Sequence, residues 1–235
     1  MKISMLLKLG LLSLMANLFV LGVQAQIELG VKGGLNVSEF SAARFQPIVV
    51  GGNSQYIRNF PRKGLNAGLL LSIPLAKKHW SLQPEAVFSE QGATAKPSNS
   101  YLVSATEVYQ FNYLNFPILL KYSWNSGLFA ETGPQVGLLL NAEIAETVVG
   151  ASSTSYYHVN NQYKSIDLGW AFGVGYLSPI NLGFDLRYVL GLSNFANSAP
   201  SQGENAPVQE GSLKNSVFQI GVFYQFGKPR TQFEP

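Results

Sequence analysis

Over residues 182–192 the chain alternates without a break. Leu182, Phe184, Leu186, Tyr188, Leu190 and Leu192 are large and apolar, and Gly183, Asp185, Arg187, Val189 and Gly191 lie between them. Period two predicts a β-strand with two unlike faces, because successive side chains leave opposite sides of the pleat. The pattern recurs and predicts eight strands, over residues 27–37, 64–75, 80–91, about 107–123, 128–141, 166–176, 182–192 and 216–226. The fourth is the least regular, and a bulge near Tyr113 accounts for it.

Connections between these strands alternate in length. Residues 76–79, 124–127 and 177–181 are tight turns, whereas 38–63, 92–106, 142–165 and 193–214 are long and polar. Charged residues make up only 12% of the chain, about half the usual share of a soluble domain. Past the N-terminus no apolar run is long enough for a helix to cross a bilayer. The remaining spanning structure is a closed barrel, since an open sheet leaves backbone groups unpaired in hydrocarbon. The expected fold is therefore all-β: an eight-stranded antiparallel up-and-down transmembrane β-barrel with short periplasmic turns and four long external loops.

Bulk decides which face meets lipid. Twelve of the 23 glycines fall on the polar face, at 30, 34, 64, 68, 133, 137, 169, 173, 175, 183, 191 and 221, and only Gly33 falls on the apolar face. Eight strands enclose just enough room for side chains, so small residues belong inside and aliphatic ones outside. Trp80, Tyr122, Trp124, Tyr176, Phe184, Tyr224 and Phe226 gather near the tight-turn ends and predict an aromatic girdle at the headgroup level. A soluble lipocalin-like barrel is the competing architecture. It fits less well, because a sheet facing water carries a charged outer face.

The N-terminus sets the compartment. Lys2 and Lys8 flank the start of an apolar run over 9–23, and Val23 and Ala25 place small side chains where a signal peptidase reads them. The run of about fifteen residues is short of the roughly 20 that a spanning helix needs, so residues 1–25 read as a signal peptide cleaved before Gln26. Its removal lowers the basic count from 16 to 14 against 13 acidic residues. No basic run with interleaved aromatics appears, so nucleic acid is not an expected partner. The absence of cysteine excludes thiol chemistry, disulfides and a lipid-modified N-terminal Cys. The barrel then occupies 26–226, ending on the aromatic Phe226. Residues 227–235 form a tail whose Gly, Pro and charge content gives no packed core.

Eight charged residues fall on the inward face: Glu28, Lys32, Glu85, Lys121, Glu131, Asp167, Asp185 and Arg187. Unpaired charges are costly in a low-dielectric lumen, so salt-bridged clusters are expected, with Lys121 and Glu131 facing each other across the 124–127 hairpin. Such a network suits a structural plug. A narrow ion-conducting pore is the alternative, although small barrels usually have filled interiors.

Catalytic signals are thin. His79 and His158 are the only histidines, and neither has a second ligand at hairpin spacing, so no metal site is expected. A lipid-modifying enzyme would draw on His158 with Ser152, Ser153, Ser155 and Tyr156 of the 142–165 loop, but no acid stands beside it to orient a base. Gly173 and Gly175 lack the third glycine of a dinucleotide site, since position 178 is Ser, and no cofactor is expected. Asn36-Val37-Ser38 fits the glycosylation pattern but lies at a strand end. Arg44, Arg58, Arg62 and Lys63 outnumber Glu39 in loop 38–63 and suit lipopolysaccharide phosphates; ordinary solvation is the simpler reading.

Several longer runs share one likeness. Gly30-Val-Lys-Gly-Gly-Leu-Asn36, Leu82-Gln-Pro-Glu85, Asn112-Tyr-Leu-Asn-Phe-Pro-Ile-Leu-Leu-Lys-Tyr122, Gly133-Pro-Gln-Val-Gly137, Asp167-Leu-Gly-Trp-Ala-Phe-Gly-Val-Gly175 and Arg187-Tyr-Val-Leu-Gly-Leu-Ser-Asn194 together resemble the PorT-like outer-membrane β-barrel family, over nearly all of the chain after the leader. The resemblance implies a small eight-stranded outer-membrane barrel. In some members it implies a part in assembling a protein-secretion and gliding apparatus, and it brings no catalytic residues. The expected function is thus a non-enzymatic, monomeric barrel of the bacterial outer membrane, structural or partner-binding. Its partners would be membrane lipid, lipopolysaccharide and an envelope protein met through the loops or the tail.

Overall fold

A computed structural model describes residues 27–41, 57–75, 79–97, 105–148, 153–196 and 213–227, with short pieces at 44–45, 48–50, 53–55 and 209–210. The leader 1–25 and the tail past Gly227 lie outside the described residues. The main strands are β1 (Glu28–Ser41), β2 (Ile57–Pro74), β3 (Trp80–Pro97), β4 (Ala105–Ser123), β5 (Leu128–Val148), β6 (Thr154–His158), β7 (Ile166–Leu177), β8 (Leu182–Gly191) and β9 (Lys214–Phe226). Short strands also pair Arg44–Phe45 with Gln209–Glu210 and Ile48–Val50 with Asn53–Gln55.

Eight of the main strands close a ring. Each of β1 to β5 pairs antiparallel with the next, β5 pairs with β7, and β7, β8 and β9 follow in order. Finally β9 returns to β1, with Leu29 opposite Phe226 and Ser41 opposite Lys214. A closed ring leaves no sheet edge along the wall. The sixth strand stands apart: among the described residues it pairs only with the far end of β5, from Glu143 opposite His158 to Thr147 opposite Thr154.

All eight predicted strands are present, and most of them are longer than the alternation indicated. β2, β3, β4 and β5 run for 18, 18, 19 and 21 residues, about twice the 9–11 that cross a bilayer when tilted. Residues 92–97 and 142–148, expected in loops, continue the sheet, and 154–158 add a strand to it. The hydrophobic alternation fades there because only the part of a strand with an apolar outer surround needs it. Backbone hydrogen bonding does not, and the sheet projects beyond the ring.

The bulge expected near Tyr113 sits across the ladder from it. Asn112 faces Asn141 and Tyr113 faces Leu139, which leaves Leu140 as the extra residue of β5. A second register shift lies between Pro61 and Asn66 of β2. Gly92, on the facing strand, has φ +141°, a conformation that side chains rarely adopt, and both its backbone groups bond Ser38 Oγ. At the other end, Asn181 takes φ +63° in the turn between β7 and β8, which the Asn side chain tolerates.

The two faces divide cleanly by exposure. Outward Leu35, Leu65 and Phe172 are 57%, 58% and 51% exposed, whereas inward Arg187 is 2% exposed. A Cβ built on any of the twelve inward glycines would come within 3.0 Å of a neighbouring atom; on outward Gly33 the nearest atom is 3.7 Å away. Inward glycines are therefore the space into which larger neighbours fold: the Phe223 ring covers Gly183, the Phe129 ring covers Gly175, and the Glu131 carboxylate lies over Gly173.

Candidate functional site

The lumen is filled in layers, and the tight-turn end supplies the first. Leu70, Phe129, Leu177 and Phe223 form a small apolar floor, with the two rings edge-to-face at 5.9 Å. The Lys121 ammonium lies 3.6 Å from the centre of the Phe129 ring, close enough for a cation–π attraction strengthened by desolvation. Outside the wall at the same end, Trp80, Tyr122 and Trp124 contact in series at 5.0 and 5.1 Å, and Tyr224 meets Phe226 at 5.3 Å. Tyr176 faces Phe184 across the β7–β8 ladder. These seven aromatics thus share one end of the barrel.

Above the floor stands an ionic layer of Lys32, Glu85, Lys121, Glu131, Asp185 and Arg187, all buried. Arg187 is its hub. Its Nη1 and Nη2 donate to the two oxygens of Glu85 at 2.7 and 2.8 Å, and its Nε and Nη2 donate to Glu131 Oε1 at 3.0 and 2.6 Å. The planar five-donor fork suits this two-sided demand, where lysine would not. β8, which carries Arg187, and β3, which carries Glu85, stand opposite each other in the ring of eight. The Arg187–Glu85 pair therefore spans the bore. Lys32 completes the network, 2.8 Å from Asp185 Oδ2 and 3.5 Å from Glu85 Oε2.

Three cations and three carboxylates make this layer neutral, which is the condition under which buried charge is tolerable. The facing register is the expected one, but the two side chains make short contacts with other partners. Lys121 and Glu131 are register partners across the hairpin, but Glu131 turns its carboxylate to Arg187, and Lys121 donates to Gln83 Oε1 at 3.1 Å. Gln83 in turn donates to Glu85 at 2.7 Å. Register fixes which Cβ atoms are adjacent, whereas long side chains in a narrow bore choose partners by reach. Glu28 and Asp167 stand outside the ionic layer. Glu28 is half-buried at the tight-turn rim, and Asp167, at the opposite end of β7, accepts a hydrogen bond from Ser193 Oγ at 2.7 Å.

An amide layer follows. Asn36 donates to Ser89 Oγ at 2.8 Å and accepts from Asn66 and Gln219 at 2.7 and 3.1 Å; Gln91 donates to Ser89 at 2.9 Å and accepts from Asn215. The space left here is a cavity of about 10 Å³ among Gln91, Asn115, Gln135, Asp167 and Asn215, room for about one water. The long-connection end is then closed by an aromatic cap. Phe40, Tyr109, Phe111, Tyr163 and Phe195 are buried together, with Phe111 4.7 Å from Tyr163 and 5.7 Å from Phe195.

Gln83, the amide layer and the cap were not singled out by sequence reasoning. The cap had a signal: Tyr109, Phe111 and Tyr113 recur at period two, on the face that lower down carries polar residues. Treating this stretch only as the irregular start of the fourth strand hid it.

Chemistry at the histidines is limited by where the strands put them. His79 Nδ1 lies 3.0 Å from the Ser123 carbonyl in its turn. His158 ends strand β6 instead of lying in a loop, and an acid does stand beside it, with Glu143 Oε2 3.6 Å from Nδ1. Ser155, three residues back along the same strand, points to the opposite face of the sheet. These two side chains thus form no nucleophile–base pair. Among the described residues no three His, Asp or Glu side chains are placed to hold a metal ion.

Comparison with known proteins adds the following. A family model described as outer membrane protein beta-barrel domain matches residues 24–197. No curated protein matches the sequence. Among solved structures, Neisserial surface protein A is 14% identical, with 84% of this chain and 97% of that chain covered and a TM-score of 0.48. Ail, the attachment invasion locus protein of Yersinia pestis, is 11% identical over 85% and 99% of the two chains, with a TM-score of 0.45. OprG from Pseudomonas aeruginosa is 14% identical over 85% and 95%, with a TM-score of 0.40.

Proposed function

The chain belongs to the outer membrane protein beta-barrel domain family, and from that premise we propose that it is a non-enzymatic barrel, closed to ions, that serves the bacterial outer membrane as a structural and partner-binding element. The observation that carries this reading is the bore-spanning Arg187–Glu85 pair within a neutral ionic layer. Below it lies an apolar floor and above it an amide layer and an aromatic cap, so an ion would have to displace four layers in series. Small barrels with filled interiors act through their wall and their ends instead.

The long-connection end faces outward in this reading, and the tight turns face the periplasm. Seven aromatics at the tight-turn end support that placement as an interfacial anchor. The projecting sheet of β2 to β6 is then the surface offered to another envelope protein. The resemblance to PorT-like barrels supports a place in a secretion or gliding apparatus. Lipid contacts the apolar wall, and lipopolysaccharide meets the outer rim.

Single-channel recording in planar bilayers tests the closed lumen. Both the parent and Arg187→Ala are expected to give no conductance steps, because the amide layer and the cap still occlude the bore. Regular steps from the parent would mark a narrow pore instead. A phospholipid acyl-transfer assay with the parent and His158→Ala tests the absence of enzymatic action, and turnover that disappears in the variant would refute it. Cross-linking in native envelope, followed by purification and mass spectrometry, tests the partner.

A further inference from the structure

We propose that the outer edge of β6 is a docking site for an extended, positively charged segment of another protein, which joins the projecting sheet as a further antiparallel strand. This inference rests on the partner-binding reading above and specifies where and how the partner binds.

Among the described residues the edge is open and unguarded. All five residues from Thr154 to His158 are exposed, Tyr156 at 62% and Tyr157 at 50%. Among the described residues only β5 pairs with this strand. Open strand edges are templates for pairing, and proteins normally blunt them with lysine, proline or a bulge. Thr154-Ser-Tyr-Tyr-His158 has none of these, and its threonine and tyrosines favour extended pairing. Ring closure removes the edges along the wall but not those of the projecting sheet, whose two sides among the described residues are β6 and Ile57–Pro61 of β2; the latter carries Arg58 and Pro61, which blunt it.

Charge selects the occupant. On one face of the projecting sheet Glu107 lies directly opposite Glu146, and Glu146 lies opposite Ser155. Like charges facing each other across a ladder are unfavourable. A strand added to β6 would set one residue opposite Ser155, one strand spacing of roughly 5 Å farther out. The short serine leaves the way clear for a lysine or arginine there to reach Glu146 and offset the repulsion. On the other face Glu143 lies beside His158, so carboxylates flank the strand on both sides. Tyr156 and Tyr157, one on each face, offer rings for β-branched side chains of the incoming segment.

A second copy in the same membrane is disfavoured by geometry. Two barrels in one bilayer are related by rotation about the membrane normal, roughly along the strands, which would bring two β6 edges together in parallel. It would also bring like-charged carboxylates together. An extended segment of a different protein is free to run antiparallel, as backbone augmentation of an edge commonly does.

The test uses the folded full-length barrel after leader removal, in detergent micelles, and a seven-residue peptide alternating threonine and valine around one central lysine. Binding is read by fluorescence anisotropy and by amide hydrogen exchange. Expected results are slowed exchange at alternate amides within 154–158 and a loss of affinity of at least tenfold when alternate peptide amides are N-methylated. A weaker interaction is also expected when the central lysine is replaced by glutamate or when the barrel carries Glu146→Gln. Equal binding of the N-methylated peptide, or unchanged exchange at 154–158, overturns the proposal. So does a dimer in sedimentation that the peptide fails to disperse. If envelope cross-linking captures the same protein with the parent and with Tyr156→Pro, the docking site lies elsewhere while the partner-binding reading stands.

Discussion

Removing the Arg187 side chain tests the lumen most directly. Arg187 is 2% exposed and holds Glu85 and Glu131 through four hydrogen bonds of 2.6–3.0 Å. Arg187→Ala changes the ionic layer from neutral to one net negative charge. Glu85 keeps Lys32 at 3.5 Å, but Glu131 loses the cation that holds it. Removing one partner of a buried ion pair costs about 3–5 kcal/mol, a factor of roughly 10²–10⁴ in the unfolding equilibrium. The assay is urea titration of the barrel folded in lipid vesicles, read by tryptophan fluorescence and by gel mobility without boiling. Arg187→Met combined with Glu131→Gln restores neutrality with side chains of similar size. It is expected to recover most of the loss, since well-packed neutral replacements of buried ion pairs are often near neutral in stability. The reasoning fails if Arg187→Ala unfolds within about 0.5 kcal/mol of the parent, or if the double variant is no more stable than Arg187→Met alone.

Three further outcomes follow from the same geometry. Gly183→Ala, whose new methyl would collide with the Phe223 ring, is expected to cost about 1–3 kcal/mol by overpacking; Gly33→Ala, on the open face, should stay within about 0.5 kcal/mol in the same urea titration. Phe111→Ala in the fully buried cap should cost about 3–5 kcal/mol and weaken the near-ultraviolet circular dichroism of the packed rings, while parent-like values in both would show that the cap carries no packing energy. Ile220→Arg, on the apolar face opposite Leu35, should reduce stability in vesicles by about 2–4 kcal/mol if it lies near the bilayer midplane, and an unchanged unfolding midpoint would place that face away from acyl chains.

Much of the molecule was legible along the chain because a strand's two faces repeat every second residue. The eight ring strands, the tight turns at 124–127 and 177–181, the inward glycines and the bulge in the β4–β5 ladder all lie on that local pattern. The same pattern puts Lys32, Glu85, Asp185 and Arg187 on one face, since each sits between outward apolar neighbours. It stops being informative where the strands rise beyond the apolar band. Residues 142–148 and 154–158 carry weak alternation, and only their hydrogen-bonded register shows that they are sheet.

The sequence by itself therefore determined the wall: its strand number, its apolar outside and its charged, glycine-rich inside. Tertiary structure alone decided who meets whom across the bore. Arg187 and Glu85 are separated by 102 residues and become partners only because ring closure sets β8 against β3. Glu131 prefers that arginine to Lys121, its neighbour across the hairpin, for the same reason. Facing in or out is a property of one strand and its pleat, whereas a contact through the lumen depends on the number, tilt and stagger of all eight.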